Sequence, residues 1–281
     1  MTDWTETYRG TVSAWECDVV EHFTIAYYFD RFSDATRNLL ELSDMEPAVV
    51  ARAGAGPSRL VATFQQEMRA GAAFHMTSAI VGLEGETLKI GHQVVDTASG
   101  KTVTWVFETL MLPAGLSAAA KGKLQAAIRD WTGPAVPERS AGATPKGELT
   151  ARDRVKPWEI DERGRLALPD FVHRFSGAGM HFLTSVGMTG PYMNQNRRGF
   201  STFLLDVEIA SEAKAGERMD VRTAPAHLGN TSLRYVHYLT GPDGRLIASM
   251  VQAGVQLDLD ARRPTAFPAD IRAAIQSRLT T

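Results

Sequence analysis

The chain has a single cysteine, Cys17, in 281 residues. One thiol can neither close an intramolecular disulfide nor build a multi-thiolate metal site, so disulfide stapling is excluded and a reducing compartment is compatible. Histidine is sparse too: seven residues are scattered without an HxH or HExxH arrangement, so no metal site is expected. No run of about 18 apolar residues occurs, and the opening MTDWTETYRG carries acids where a leader would carry an apolar segment. Neither a membrane partner nor a secretory signal is expected, and a cytoplasmic location is the default. A charge excess is also missing, because 30 Lys and Arg are dispersed among 32 Asp and Glu. Nucleic-acid binding normally needs a basic stripe, so that class falls away. Glycine-rich nucleotide loops and the GxSxG elbow are absent as well.

What is present is apolar material sufficient for real cores, 44% hydrophobic against 22% charged residues. With about 100–200 residues per domain, the length allows one large unit or two modest ones. Sliding the chain along itself favours two. AWECDVVEHFTIAYYFDRFSDATRNLL returns as PWEIDERGRLALPDFVHRFSGAGMHFL at an offset of 143 residues. Trp15 meets Trp158, Glu16 meets Glu159, Asp18 meets Asp161, and Phe32, Ser33 and Ala35 meet Phe175, Ser176 and Ala178. Further on, at offset 145, Gly71 meets Gly216, Leu88 meets Leu233 and His92 meets His237.

Tyr28, Phe32, Ala35 and Leu39 share helical spacing, as do Phe171, Phe175, Ala178 and Phe182, so each motif leads into a helix with one buried face. Thr24 can cap the first, and Pro169 is tolerated in the first turn of the second, where a missing amide hydrogen costs nothing. Strand material follows each helix. Alternation over Thr87–Val94, then a turn at Ala98–Lys101, favours an antiparallel hairpin, and GPDGR punctuates its second-half counterpart. GLSAAAKGKLQAAIRDW reads as a helix with a shorter echo, LQAAI returning as IRAAI. The boundaries expected are a first domain over residues 1–132, a linker rich in Gly, Pro and Ala over 133–150, and a second domain over 151–281. Each unit reads as an opening strand carrying the WExxD motif, one long helix, antiparallel strands and a terminal helix.

Taken as a lone residue, Asp18 is a capping or turn carboxylate just before a helix. His22 follows at four residues, however, near a helix start whose free amides and positive end can stabilise an oxyanion. Thioester hydrolysis needs a base or nucleophile and such donors, and these parts suffice without a metal.

The element order, the duplication and the stretch DVVEHFTIAYY resemble the hotdog-fold acyl-CoA thioesterases of the 4-hydroxybenzoyl-CoA type, in a fused double-hotdog form. The resemblance implies an α+β fold, with each unit an antiparallel sheet wrapped around a long central helix. In the family pattern D-x-x-G-H-x-N-N-x-x-Y, Asp18, His22 and Tyr28 match the Asp, His and Tyr, while Glu21 replaces the Gly and Thr24 and Ile25 replace the two Asn. The second copy keeps Asp161 and Gly164 but has Arg165 for the His and Phe171 for the Tyr.

By that resemblance Asp18 is a catalytic base or nucleophile, both routes remaining open, and His22 orients substrate or Asp18. Thr24 and Tyr28 could line the acyl pocket, Tyr28 alternatively being core. Glu21 could raise a neighbouring carboxylate's pKa, receive a cationic acyl group, or face solvent. Asp161 is the second catalytic candidate; Arg165 could hold phosphate or a substrate carboxylate, or pin Asp161 in a salt bridge. Asn194, Asn196 and Arg197, in a polar stretch before a strand, are either a solvated loop or contacts to the acyl group or coenzyme A phosphate. His92 and His237 read as core histidines, and Cys17, replaced by Ile160 in the second copy, is not expected to be a nucleophile.

The expected activity is hydrolysis of an acyl-CoA thioester to free CoA and a carboxylic acid, with no cofactor beyond coenzyme A as part of the substrate. The alternatives are an enoyl- or hydroxyacyl-CoA hydratase or dehydratase, and a non-catalytic acyl-CoA-binding protein. A fused pair can still assemble into homo-oligomers.

Overall fold

Alternating apolar residues give strands that bury one face, and the helical stripe of residues 28–39 supplies the layer they bury against. The computed structural model describes residues 3–18, 21–45, 57–138, 144–161 and 164–279. Two compact units divide the chain. One comprises Met1–Glu138 with Asp161–Val172, the other Arg139–Ile160 with His173–Thr281.

In the first unit β1 (Thr5–Thr11) leads through a 3-10 turn (Ala14–Glu16) into α1 (Ile25–Leu42). Four strands and a helix follow: β2 (Pro57–Phe64), β3 (Ala73–Glu84), β4 (Thr87–Asp96), β5 (Thr102–Met111) and α2 (Ala118–Ala126). The sheet order is β1-β3-β4-β5-β2, antiparallel throughout. Tyr28, Phe32, Ala35 and Leu39 are all buried, and α1 packs on β1, β3 and β4. Each large apolar side chain so buried stabilises the unit by about 2 kcal/mol. Leu39, Leu40, Ile80, Leu88, Leu110 and Leu124 form one cluster, so α2 closes the end of the same core. Ser117 caps α2 by accepting from the Ala120 amide at 3.1 Å. The opposite face of β4 is covered by tryptophan: a Cβ at Gly91 would meet Trp4 and Trp131 at 2.7 Å, so only glycine lets these rings lie on the strand.

In the second copy β6 (Glu148–Arg154) leads through a 3-10 turn (Pro157–Glu159) into α3 (Leu168–Ser185). Then come α4 (Gly190–Asn196), β7 (Arg198–Ile209), β8 (Arg218–Leu228), β9 (Ser232–Thr240), β10 (Leu246–Asp258), the short β11 (Arg263–Pro264) and α5 (Ala269–Gln276). The strand order is β7-β10-β9-β8-β6, again antiparallel, with β11 on β10. Phe171, Phe175, Ala178 and Phe182 are buried; Phe175 stacks on His237 with ring centroids 5.4 Å apart, and Phe182 meets Tyr235 at 5.5 Å. The echo of LQAAI is α5, whose Ile271 and Ile275 enter the core beside Phe182.

The chain is therefore a fused tandem double hotdog, two antiparallel sheets each wrapped on a central helix. The duplication extends to the turns. Gly71 and Gly216 take φ of 86° and 81°, and their amides donate to the carbonyls of Val12 and Val155 at 2.8 and 2.9 Å. Two local expectations change. The Trp-Glu pair sits on the 3-10 turn after the opening strand, because Glu16 bonds back onto Ser13. Residues 192–196 are helical, started by Thr189, which accepts from the Tyr192 amide at 3.2 Å.

Candidate functional site

The Glu of each recurring Trp-Glu pair ties the 3-10 turn to the central helix. Glu16 accepts the Ser13 amide at 2.8 Å with one oxygen and Arg31 of α1 with the other. Glu159 takes the corresponding donors on a single oxygen, Oε2 accepting the Lys156 amide and Arg174 of α3, both at 2.6 Å. Arg174 also donates to Asp153 at 3.2 Å and to the Arg154 carbonyl at 3.3 Å. Each Glu thus ties turn to helix, while Trp15 and Trp158 stand exposed.

The Asp18–His22 loop follows the 3-10 turn. The Asp18 amide donates to the His22 carbonyl at 2.8 Å, the Glu21 amide to the Asp18 carbonyl at 3.0 Å, and the His22 amide to Asp18 Oδ1 at 3.0 Å. The second copy draws the same loop, with 2.7 Å for Asp161 to Arg165, 2.9 Å for Gly164 to Asp161 and 3.0 Å for the Arg165 amide to Asp161 Oδ1. The loop needs a left-handed residue before its last position: Glu21 has φ 65° where Gly164 has 73°. For a residue with a Cβ this costs about 1 kcal/mol. The Glu21 side chain is 83% exposed and approaches Arg69 at 3.6 Å, so it faces solvent.

The two loops diverge at their last residue. His22 is buried, with Nε2 3.0 Å from Glu67 Oε2, and both side chains are largely shielded. The approach is a close contact and not an aligned hydrogen bond: among the described residues Nε2 has no hydrogen-bond partner. Glu67 is held in the connection between β2 and β3, where the next residue, Met68, accepts the Phe23 amide at 2.8 Å. In the second copy Arg165 Nη2 donates to Asp161 Oδ2 at 3.3 Å, so both Asp161 oxygens are engaged and its side chain is only 7% exposed. Asp18, by contrast, is exposed.

Thr24 occupies the N-cap position of α1, but its side chain makes no capping bond, so the first-turn amides of Ile25 and Ala26 are not taken by it. Tyr28 is buried against Phe23, Phe32 and Phe64, and burial pushes its phenol well above the usual range. Cys17 is half-buried, its thiol pushed up by burial, and Sγ lies 3.7 Å from the Ser13 carbonyl. Farther along α1, burial pushes the Asp30 carboxyl up to about 6; Arg31 opposes the rise, and Asp34 and Glu16 add to it. The matching position on α3 is His173, whose imidazole burial pushes down.

Asn194, Asn196 and Arg197 are exposed at the end of α4. Asn196 donates to the Tyr192 carbonyl at 2.9 Å, and Arg197, in a left-handed C-cap with φ 51°, donates to Asp260 at 3.1 Å. The two matched histidines lie in sealed networks. His92 Nδ1 bonds Ser78 at 2.7 Å, its Nε2 stands 3.2 Å from Glu108, and Thr36 donates to Glu108 at 2.5 Å. All four are at most 2% exposed. In the second copy Thr223 bonds His237 Nδ1 at 2.7 Å, but the strand register sets Gln252 where Glu108 stands. Gln252 donates to Thr202 at 2.7 Å, and among the described residues His237 Nε2 has no aligned partner; burial pushes this imidazole down to about 3, Gln252 only partly opposing it.

The loop therefore joins Asp18 to His22 in one copy and Asp161 to Arg165 in the other, while Glu21 points to solvent and Thr24 stands at the start of α1. Sequence reasoning missed Glu67, although EMRAG returns as EAKAG at offset 145, placing Glu212 at its position. It also missed Arg31 and Arg174, which recur at offset 143.

One family model, the thioesterase-like superfamily, matches twice, over residues 12–132 and 155–275. The chain belongs to the thioesterase-like superfamily. The limits of the two matches differ by 143 residues, so this member carries the superfamily unit once per copy. No curated protein matches the sequence. Among solved structures, this superfamily member is similar to an acyl-ACP thioesterase from Bacteroides thetaiotaomicron at 11% identity and TM-score 0.65, covering 89% of this chain and 96% of that one. It is also similar to a putative oleoyl thioesterase from Lactobacillus plantarum, at 9% identity and TM-score 0.69 over 91% and 98% of the two chains. The 12:0-ACP thioesterase from Umbellularia californica gives 11% identity and TM-score 0.67 over 89% and 93%. At such identities the likeness is one of fold. Among the described residues no helix is long and apolar enough to cross a membrane, and no group of three or more His, Cys, Asp or Glu could hold a metal ion.

Proposed function

We propose that this thioesterase-like protein hydrolyses an acyl-CoA thioester to free CoA and a carboxylic acid, and that the first copy carries the chemistry. The observation that supports this most is the contrast between the two loops. Asp18 is exposed ahead of α1 with a histidine at the loop's last position, whereas Asp161 is shielded, its side chain 7% exposed, and has both oxygens bound by Arg165. A carboxylate held by a guanidinium is a poor base and a poor nucleophile, so the second loop is the silent one.

In the proposed reaction Asp18 either takes a proton from water, which then adds to the thioester carbonyl, or adds to that carbonyl itself. The negative charge passes to the carbonyl oxygen, opposite the uncapped first-turn amides of α1 and the positive end of its dipole. Collapse breaks the carbon–sulfur bond and releases the CoA thiolate, which takes up a proton; in the covalent route water then cleaves the anhydride on Asp18. His22, at the other end of the loop, orients the carbonyl, and Thr24 and Tyr28 border the acyl group. Arg165 serves structure by binding Asp161, Glu21 faces solvent, and Asn194, Asn196 and Arg197 are left to coenzyme A phosphate or to solvent. The three solved relatives are named for acyl-ACP or oleoyl thioesters, which supports an acyl thioester as substrate.

The test is thiol release from panels of acyl-CoA and acyl-ACP thioesters. Turnover of an acyl-CoA is expected, with D18N lowering kcat at least about 100-fold and D161N lowering it less than about threefold. Protein inert toward both panels, or a fully active D18N, overturns the proposal, and cleavage of acyl-ACP alone would move the carrier. Single turnover in 18O water tests the covalent route with water attacking Asp18 Cγ, which alone leaves the product's new oxygen unlabelled; attack at the acyl carbon labels it as the general-base route does.

A further inference from the structure

We propose that the face of β6 and β8 turned away from α3 is a docking surface for a partner protein that presents an acidic helix. The surface belongs to the second copy alone.

Val221 and Thr223 of β8 are buried and point inward, Thr223 bonding His237, so Arg218, Asp220 and Arg222 point out. The register of β6 on β8 sets Leu149 opposite Arg222, Arg152 opposite Asp220 and Arg154 opposite Arg218, all on that outer face. The four arginines are exposed, and so is Leu149 at 39%. Asp220 is the one carboxylate among them, and Arg152 takes both of its oxygens at 2.8 Å. That bond holds the Asp220 carboxyl below its usual range, and Arg218 and Arg222 act in the same direction, so the groups form one electrostatic patch. Arg154 donates to the Gly216 carbonyl at 2.9 Å and Arg222 to the Gly147 carbonyl at 3.0 Å, contacts that leave their charge uncompensated. Among the described residues Arg218 bonds no carboxylate.

Like charges directly opposite on neighbouring strands destabilise a sheet, so the Arg154–Arg218 pair does not serve the fold. Charge on an edge strand guards against stray strand pairing, but Arg218 and Arg222 lie on β8, inside the sheet. Nor is the patch shared scaffold. The first copy has Glu6, Arg9, Thr11, Ala73, His75 and Thr77 at the matching positions, in the same register, with Arg9 bound to Glu6. The basic face is therefore a property of one copy, and its complement is an anion.

Spacing selects the partner. Arg152 and Arg154 are two residues apart on a strand and Arg218 and Arg222 four, about 7 and 13 Å. Carboxylates four and eight residues apart on a helix are about 6 and 12 Å apart, so one acidic helix face matches both rows. Guanidinium forks take carboxylates through two parallel bonds, as Arg152 already takes Asp220. Leu149 beside Arg222 adds an apolar contact that a phosphate surface does not use, and arginine beside apolar side chains is the composition of a protein interface.

The test is titration of the full chain with an alanine-based helical peptide carrying Glu at every fourth position, read by fluorescence anisotropy at low salt, with the Gln peptide as control. The Glu peptide is expected to bind and the Gln peptide not. Affinity is expected to fall at least about 10-fold in R154Q/R218Q, and less than about twofold in R9Q on the matching face of the first copy. Added salt is expected to weaken binding, as for exposed charges. The Leu149 methyl NMR signals are expected to shift with the Glu peptide, which locates it on this face. R222Q, which leaves the opposed pair intact, is expected to weaken binding about 3–10-fold and replaces the double variant if that does not fold. A Glu peptide that fails to bind, or that binds the variants as it binds wild type, overturns the proposal. Tighter binding of a single-stranded oligonucleotide or of phosphatidylserine vesicles at this face also overturns it, by making the patch a phosphate surface. R154Q/R218Q is expected to keep the wild-type urea midpoint, and a lower midpoint would give these arginines a task in the fold instead. Peptide binding needs no turnover, so this surface and the hydrolase reading stand or fall separately.

Discussion

Lowering the pH is expected to loosen the second unit through His237, and the size of the effect follows from its surroundings. His237 is fully buried between Phe175 and Tyr235; Thr223 meets Nδ1, Nε2 has no aligned partner among the described residues, and nearby Gln252 only partly offsets the burial. Burial therefore holds the folded imidazole near 3, against about 6.5 in the unfolded chain. Between these values the unfolded state binds the extra proton, so stability present above pH 6.5 is lost as the pH falls. Linkage gives a loss of about 2 kcal/mol by pH 5 and about 3 kcal/mol by pH 4. Urea denaturation at pH 7 and pH 5 measures it, with hydrogen exchange in β8 and β9 localising the effect to this unit. H237L is the control. Thr223 keeps Thr150 as a partner at 2.7 Å, so the substitution removes the titrating group without orphaning the hydroxyl. H237L is expected to start less stable at pH 7, having lost the ring stack, and to flatten the slope between pH 7 and 5 by about 2 kcal/mol. An unchanged slope in H237L would refute the reasoning.

Three substitutions on the shared scaffold give further expectations. E21G relieves the left-handed strain at φ 65° and is expected to stabilise the first unit by about 1 kcal/mol, read as a raised urea midpoint. E16A removes the acceptor facing Arg31 and the Ser13 amide and is expected to cost about 3 kcal/mol, since it leaves a largely shielded cation without that partner. E159A is expected to cost less, about 1–2 kcal/mol, because Arg174 retains Asp153 and the Arg154 carbonyl. Equal losses from E16A and E159A in chemical denaturation would contradict this ranking.

The site was legible only in part. The four-residue spacing of Asp18 and His22 identified the loop, and its recurrence as Asp161 and Arg165 identified the frame. A repeat cannot say which oxygen of a carboxylate is already engaged. In both copies Oδ1 closes the loop, and in the second the Arg165 guanidinium also reaches Oδ2. The matched histidines show the same limit. The repeat placed His92 and His237 in equivalent strands, but Glu108 against Gln252 follows from the register of β5 and β10 with their neighbours.

The sequence by itself determined the duplication, the two central helices and the antiparallel hairpins, because period 3.6, period 2 and glycine-marked turns are local properties of the chain. Tertiary structure decided the partners: Glu67 for His22, Arg31 for Glu16, Arg165 for both oxygens of Asp161, and a sealed network for each core histidine. The physical reason is distance along the chain. Glu67 reaches His22 only because the connection between β2 and β3 is laid on the turn before α1, and Glu108 reaches His92 only across a strand register, neither of which any spacing in the sequence encodes.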